Sequence, residues 1–141
     1  MTIKIGMEEL QYINLFQDIT KITPKDCVQI GETIVFVVDE DKVGAAIGKN
    51  GETVEKIKKV LKNKKVSIVG YTPDLERFVQ NILRPVEVLG VEKEGNTLKI
   101  YVKKEEYRRA VGNQGKRLGR IQTLLERHFD IPQVKLIARE V

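Results

Sequence analysis

Along MEELQYINLFQDI, apolar residues recur at Leu10, Ile13, Phe16 and Ile19, a spacing of three that predicts an amphipathic helix. The period then changes. CVQIGETIVFVV is two β-branched runs around Gly31 and Glu32, which predicts a hairpin. Asp39 is placed to cap a short helix over Glu40 to Ala46. The loop Gly48-Lys49-Asn50-Gly51 follows, a second helix is expected to about Asn63, and VSIV forms a last strand.

The same order returns in the second half. TPDLERFVQNIL predicts a helix with Thr72 as N-cap and Pro73 at the first helical position. VEVLGVEKEGNTLKIYV is a hairpin turning at Gly95 and Asn96. EEYRRAV and KRLGRIQTLLERHF are two helices on either side of GNQG, and QVKLIA closes as a strand. A shift of 64 positions lays Thr33 to Leu61 on Thr97 to Leu125 without a gap. Gly48 then falls on Gly112, Gly51 on Gly115, Ala46 on Ala110, Ile47 on Val111, Val54 on Leu118 and Ile57 on Ile121. The apolar skeleton is kept while the polar positions vary, which one shared fold or one shared ligand would impose on both segments. The expected division is residues 1–70 and 71–141. Only Gly70, Tyr71 and Thr72 stand between the halves, too few for a free tether, so a fixed mutual orientation is expected.

Length alone leaves one medium domain or two small ones open for 141 residues, and the repeat decides for two. The charged fraction of 32% and apolar fraction of 41% describe a soluble globular chain, with no apolar run near the roughly 18 residues that span a bilayer. MTIKIGMEEL lacks the features of a secretory signal, so a cytoplasmic location is expected, with no membrane partner. The single cysteine, Cys27, reads as a small buried hydrophobe. The single histidine, His128, lies beside Phe129 with no catalytic or metal-binding constellation around it, and neither glycine loop extends to a Walker motif. These features argue against an enzyme and imply no cofactor and no metal. The formal charge of +5 and pI of about 9.3 favour an anionic partner.

The glycine loops are where such a partner would be held. Bare of Cβ atoms at Gly48 and Gly51, the backbone can approach a phosphate, Lys49 can neutralise it, and the helix from Glu52 adds the positive end of its dipole. Val43, Ile47, Val54 and Ile57, with a strand edge at Val66 to Ile68, are candidates for a groove that takes flat bases, although the spacing of Val54 and Ile57 equally suits a buried helix face. The second loop, Val111-Gly112-Asn113-Gln114-Gly115, is neutral between its glycines but is flanked by Arg108, Arg109, Lys116, Arg117 and Arg120. Its arginines would supply most of the salt-dependent affinity. The lysine run from Lys56 to Lys65 reads as a solvated face, and the neutral GNQG leaves open a scaffold that has lost RNA contact.

Each half resembles a KH domain of the type II, prokaryotic topology, whose hallmark is an Ile-Gly-x-x-Gly loop between two helices, matched by IGKNG and, with Val for Ile, by VGNQG. The fold implied is α+β, two tandem type II KH domains, each α-β-β-α-α-β with a three-stranded sheet packed against helices. Such a loop clamps about four nucleotides of a single strand, so two rigidly joined domains would hold about eight. Two KH domains abutting through a short linker resemble the archaeal NusA-like transcription factors over essentially the whole chain. That resemblance implies single-stranded RNA binding in transcription elongation, termination or antitermination, with RNA polymerase or other transcription factors as further candidate partners. The polymerase-binding amino-terminal domain and the S1 domain of bacterial NusA have no counterpart in these 141 residues. A ribosome-assembly or rRNA-processing factor would share the same loops and charge. Glu52 follows the first loop where Lys116 and Arg117 follow the second, so the second domain is expected to bind more strongly at low salt.

Overall fold

The computed structural model describes residues 6–62 and 64–140. Its contacts divide the chain into two units between Thr72 and Pro73. The first runs α1 (Met7–Thr20), β1 (Asp26–Ile30), β2 (Thr33–Asp39), α2 (Val43–Ile47), α3 (Glu52–Val60) and β3 (Lys65–Tyr71). The second runs α4 (Leu75–Leu83), β4 (Val88–Glu94), β5 (Thr97–Lys103), α5 (Tyr107–Val111), α6 (Lys116–Phe129) and β6 (Gln133–Arg139). Each unit has one three-stranded sheet, ordered β1-β2-β3 or β4-β5-β6. The central strand is antiparallel to the strand before it and parallel to the strand that closes the unit. A parallel partner needs a crossover, and the two short helices with their glycine loop are that crossover.

Both hairpins close through two residues with glycine first, Gly31 and Gly95 each at φ 60°. Glycine takes that angle without the Cβ clash that other residues meet, and the turn then matches the twist of the strands. The crossovers differ by four residues. Thr33 pairs with Lys65 in the first sheet, whereas Thr97 pairs with Gln133 in the second. Four residues are about one helical turn, so α6 reaches 14 residues against the 9 of α3 and returns the chain to the sheet on the same face.

The first core joins Ile13 and Phe16 of α1 to Cys27, Ile34, Phe36, Val38, Ala46 and Ile57. Phe16 stacks on Phe36 with ring centroids 4.4 Å apart, and truncating either ring to alanine would cost about 3–5 kcal/mol. Cys27 is fully buried and free. The second unit buries Phe78, Val79, Ile82 and Leu83 of α4, Leu98, Ile100 and Val102 of β5, and Ile121, Leu124 and Leu125 of α6. His128 meets the Phe78 ring edge-on at 5.9 Å.

Several local expectations are corrected by long-range contacts. Leu10 is exposed, because the buried face of α1 runs through Tyr12, Ile13 and Phe16 instead. Asp39 makes no capping bond. It ends β2 opposite Tyr71 and lies 3.5 Å from the Lys25 ammonium, and a 3₁₀ turn over Glu40–Lys42 precedes the five-residue α2. Helix α3 stops at Val60, and the expected end at Asn63 lies outside the described residues. Gly70 and Tyr71 are not linker. Pairing with Val38 and Asp39 extends β3 through them, so the boundary expected at 70/71 falls inside a strand. The N-cap of α4 is Asp74, whose carboxylate accepts the Arg77 N–H at 3.3 Å, and the helix opens at Leu75 rather than Pro73.

Candidate nucleic-acid interface

The two loops have one geometry. Gly48 has φ 81° and ψ 168°, and Gly112 has φ 82° and ψ 168°. Gly51 and Gly115 lie in the left-handed region at φ 76° and 72°. Between them Asn50 and Gln114 also take φ 56°. A left-handed glutamine costs about 1–2 kcal/mol, so the second loop keeps this turn against its local preference. The fold of the crossover imposes the shape, and the residue type adapts.

The hydrogen bonds are reproduced too. The Gly48 N–H donates to the Gly44 carbonyl at 2.9 Å, and the Gly51 N–H donates to the Gly48 carbonyl at 3.1 Å. Gly112 donates to Arg108 at 3.0 Å, and Gly115 donates to Gly112 at 3.1 Å. The turn's bonds therefore occupy the glycine amides. The amides at its open end are those of Lys49 and Asn50, and of Asn113 and Gln114.

Lys49, Asn50, Asn113 and Gln114 are exposed at the loop tips, and Gly48, Gly51, Gly112 and Gly115 are half-buried. Ile47 is exposed and Val111 half-buried. Ile57 is removed from the expected base groove, because it is fully buried in the core. Val43, Val66 and Ile68 pack at the edge of that core, and Val54 is half-buried. Arg108, Arg109 and Lys116 are exposed. Arg109 lies 3.8 Å from the Glu106 carboxylate, and its carbonyl accepts from the Arg117 guanidinium at 3.3 Å, so Arg117 also ties α6 to α5. Arg120 is half-buried. Desolvation, then the Arg117 charge, pulls its guanidinium below the ordinary arginine range, yet an arginine stays charged at neutral pH.

The repeat hides a chemical asymmetry. Position by position, VGAAI of α2 corresponds to YRRAV of α5, so the first loop is flanked by Gly44 and Ala45 and the second by Arg108 and Arg109. Residues 1–72 carry 11 Lys and Arg against 10 Asp and Glu, and residues 73–141 carry 14 against 10. All eight arginines belong to the second group. Arginine presents a rigid fork that matches phosphate, whereas lysine is a point charge. Tyr107, which sequence reasoning passes over, borders a hollow of about 390 Å³ with Arg108, Val111, Gly112, Asn113 and Gln114. The available signal was the replacement of Val43 by Tyr107 between the two copies.

The model of the KH domain family matches residues 11–70. The "Probable transcription termination protein NusA" of Methanococcus vannielii is 37% identical over 98% of this chain and 82% of its own length. The chain belongs to the archaeal NusA-like family. The protein of the same name from Methanocaldococcus jannaschii is 36% identical over 96% of this chain and 75% of its own length. The crystal structure of APE1850 superposes with a TM-score of 0.78 at 29% identity, covering 94% of this chain and all of that one. For a NusA-like chain, the two sheets and two glycine crossovers are a pair of KH domains of type II order. Among the described residues no helix is long and apolar enough to cross a membrane.

Proposed function

We propose that this protein binds single-stranded RNA through both glycine loops and acts in transcription termination or antitermination. The observation that carries the reading is the matched loop geometry in both copies of a NusA-like chain. Each loop offers open-end amides to a phosphate, followed at once by a helix whose N-terminal dipole favours an anion. A Cβ on Gly115 would meet no atom of the protein within 4 Å, and one on Gly51 only Val54 Cγ1 at 3.9 Å, so the second glycine of each loop leaves open room for an incoming strand. Each domain then grips about four nucleotides, largely by their backbone.

The second domain is the stronger binder in this reading. Lys116 opens α6 where Glu52 opens α3, and Arg108 and Arg109 flank its loop. The protein works by binding, in the cytoplasm where the transcript is made, with RNA polymerase as a candidate neighbour.

The test is single-stranded RNA affinity across a salt series for the unchanged protein, for Lys49→Asp with Asn50→Asp, and for Asn113→Asp with Gln114→Asp. Aspartate tolerates the left-handed turn, so these changes set charge against phosphate without disturbing the loop. Each pair should weaken binding, the second more at low salt, and all four together should abolish it. Unchanged affinity in folded variants would make the loops structural and overturn the reading.

A further inference from the structure

Tyr107 and Val111 stand four residues apart on α5, hence on one face of it, and together they form the apolar side of the hollow beside the second loop. Arg108, Asn113 and Gln114 supply its polar rim. The Tyr107 side belongs to a residue that is 37% exposed, so part of the ring stays open to solvent while the rest is packed. At about 390 Å³ the hollow sits at the small end of the roughly 300–1,000 Å³ typical of ligand sites.

We propose that this hollow seats one nucleobase of the bound strand, stacked against the Tyr107 ring, and that the first domain has no equivalent seat. The inference rests on the reading of the chain as a single-stranded RNA binder. The chemistry of the walls selects the occupant. A flat aromatic face and a valine suit a base, every one of which has a π-face, and the amides of Asn113 and Gln114 offer both donors and acceptors to its edge. The arginines around the hollow, with Lys116, favour the anionic backbone that carries the base. A strand gripped at Gly112–Gly115 would bring its base to this wall, since the loop glycine Gly112 lines the same hollow.

In the first domain Val43 occupies the place of Tyr107 and packs against the core, and Gly44 occupies the place of Arg108. Neither a ring nor a guanidinium is available there. The two domains therefore divide the work. The first holds backbone, and the second holds backbone and reads one base by stacking.

The test compares Tyr107→Leu, Tyr107→Phe and Tyr107→Trp with the unchanged full chain, using a short single-stranded RNA and the same RNA carrying abasic positions. Tyr107→Leu should bind about five- to a hundredfold more weakly, while Tyr107→Phe should stay within about twofold, because the ring and not the hydroxyl is used. The slope of affinity against salt should be unchanged in Tyr107→Leu, since no phosphate contact is lost. The most damaging abasic position for the unchanged protein should cost Tyr107→Leu nothing further, as two changes to one contact do not add. Tyr107→Trp places a single tryptophan in a chain that has none, and its emission should be quenched when RNA binds. Retained affinity in Tyr107→Leu, or an abasic penalty equal in both proteins, overturns the base seat while leaving RNA binding by the loops intact. Absence of RNA binding by the unchanged protein overturns both.

Discussion

A Cβ atom on Gly48 would lie 2.8 Å from the Thr53 backbone nitrogen, and would press on the Thr53 side chain as well. Gly112 repeats the relationship with Arg117, whose nitrogen and Cβ would both be 2.8 Å away. The first glycine of each loop is therefore demanded by the first turn of the following helix. The second glycine is demanded only by its left-handed φ, since nothing in the protein crowds it.

This difference separates the two glycines by experiment. Gly48→Ala should destabilise its domain by about 2–4 kcal/mol, combining a backbone angle that other residues avoid with overpacking against Thr53. Gly112→Ala should do the same. Gly51→Asn and Gly115→Asn should cost within about 1 kcal/mol, because asparagine tolerates the left-handed region. Denaturant unfolding of the four variants would check the order, and equal losses for both glycines would contradict the steric account.

The flanks of the loops can be exchanged. A Cβ on Gly44 meets nothing within 4 Å, and Ala45 is exposed, so Gly44→Arg with Ala45→Arg should fold and give α2 the charge of α5. RNA affinity at low salt should rise, and the slope of log affinity against log salt should steepen by about 0.7 for each new phosphate contact. Arg108→Ala with Arg109→Ala should move the slope the other way.

The hairpin of the second unit carries a pH signature. The Lys99 ammonium donates to the Glu94 carboxylate at 2.6 Å, and this bond, then the Lys99 charge, holds Glu94 below the ordinary 4.5. The Glu94 contact likewise holds Lys99 above 10.5. Any stability the pair contributes is thus present above the ordinary glutamate value and lost as pH falls through the lower folded one. On the alkaline side it is present below the ordinary lysine value and lost as pH rises through the raised one. Carboxyl NMR should show Glu94 titrating below 4.5, and Lys99→Met should return it toward that value.

The repeat made most of the fold legible. Each hairpin has its glycine at the first turn position, and the 14 residues of α6 coincide with KRLGRIQTLLERHF, because an uninterrupted apolar spacing between Gly115 and Asp130 marks both ends. The candidate loop residues were legible for the same reason, since the two copies keep their glycines while other positions drift. Tyr107 was overlooked because it is one of the positions that drift.

What the sequence by itself determined is local and periodic: the order of elements, the turns, the pair of glycine loops and the uneven placement of charge. Those depend on neighbours within a few residues, and the chain states them twice. Tertiary structure alone decided where elements stop and which faces stay open. Gly70 and Tyr71 became strand because β2 offers Val38 and Asp39 as partners, and Leu10 stayed exposed because Tyr12, Ile13 and Phe16 met the sheet first. It also decided that Gly48 has no room for a side chain while Gly51 does, because the distance to Thr53 and the next turn exists only once the crossover has folded back on itself.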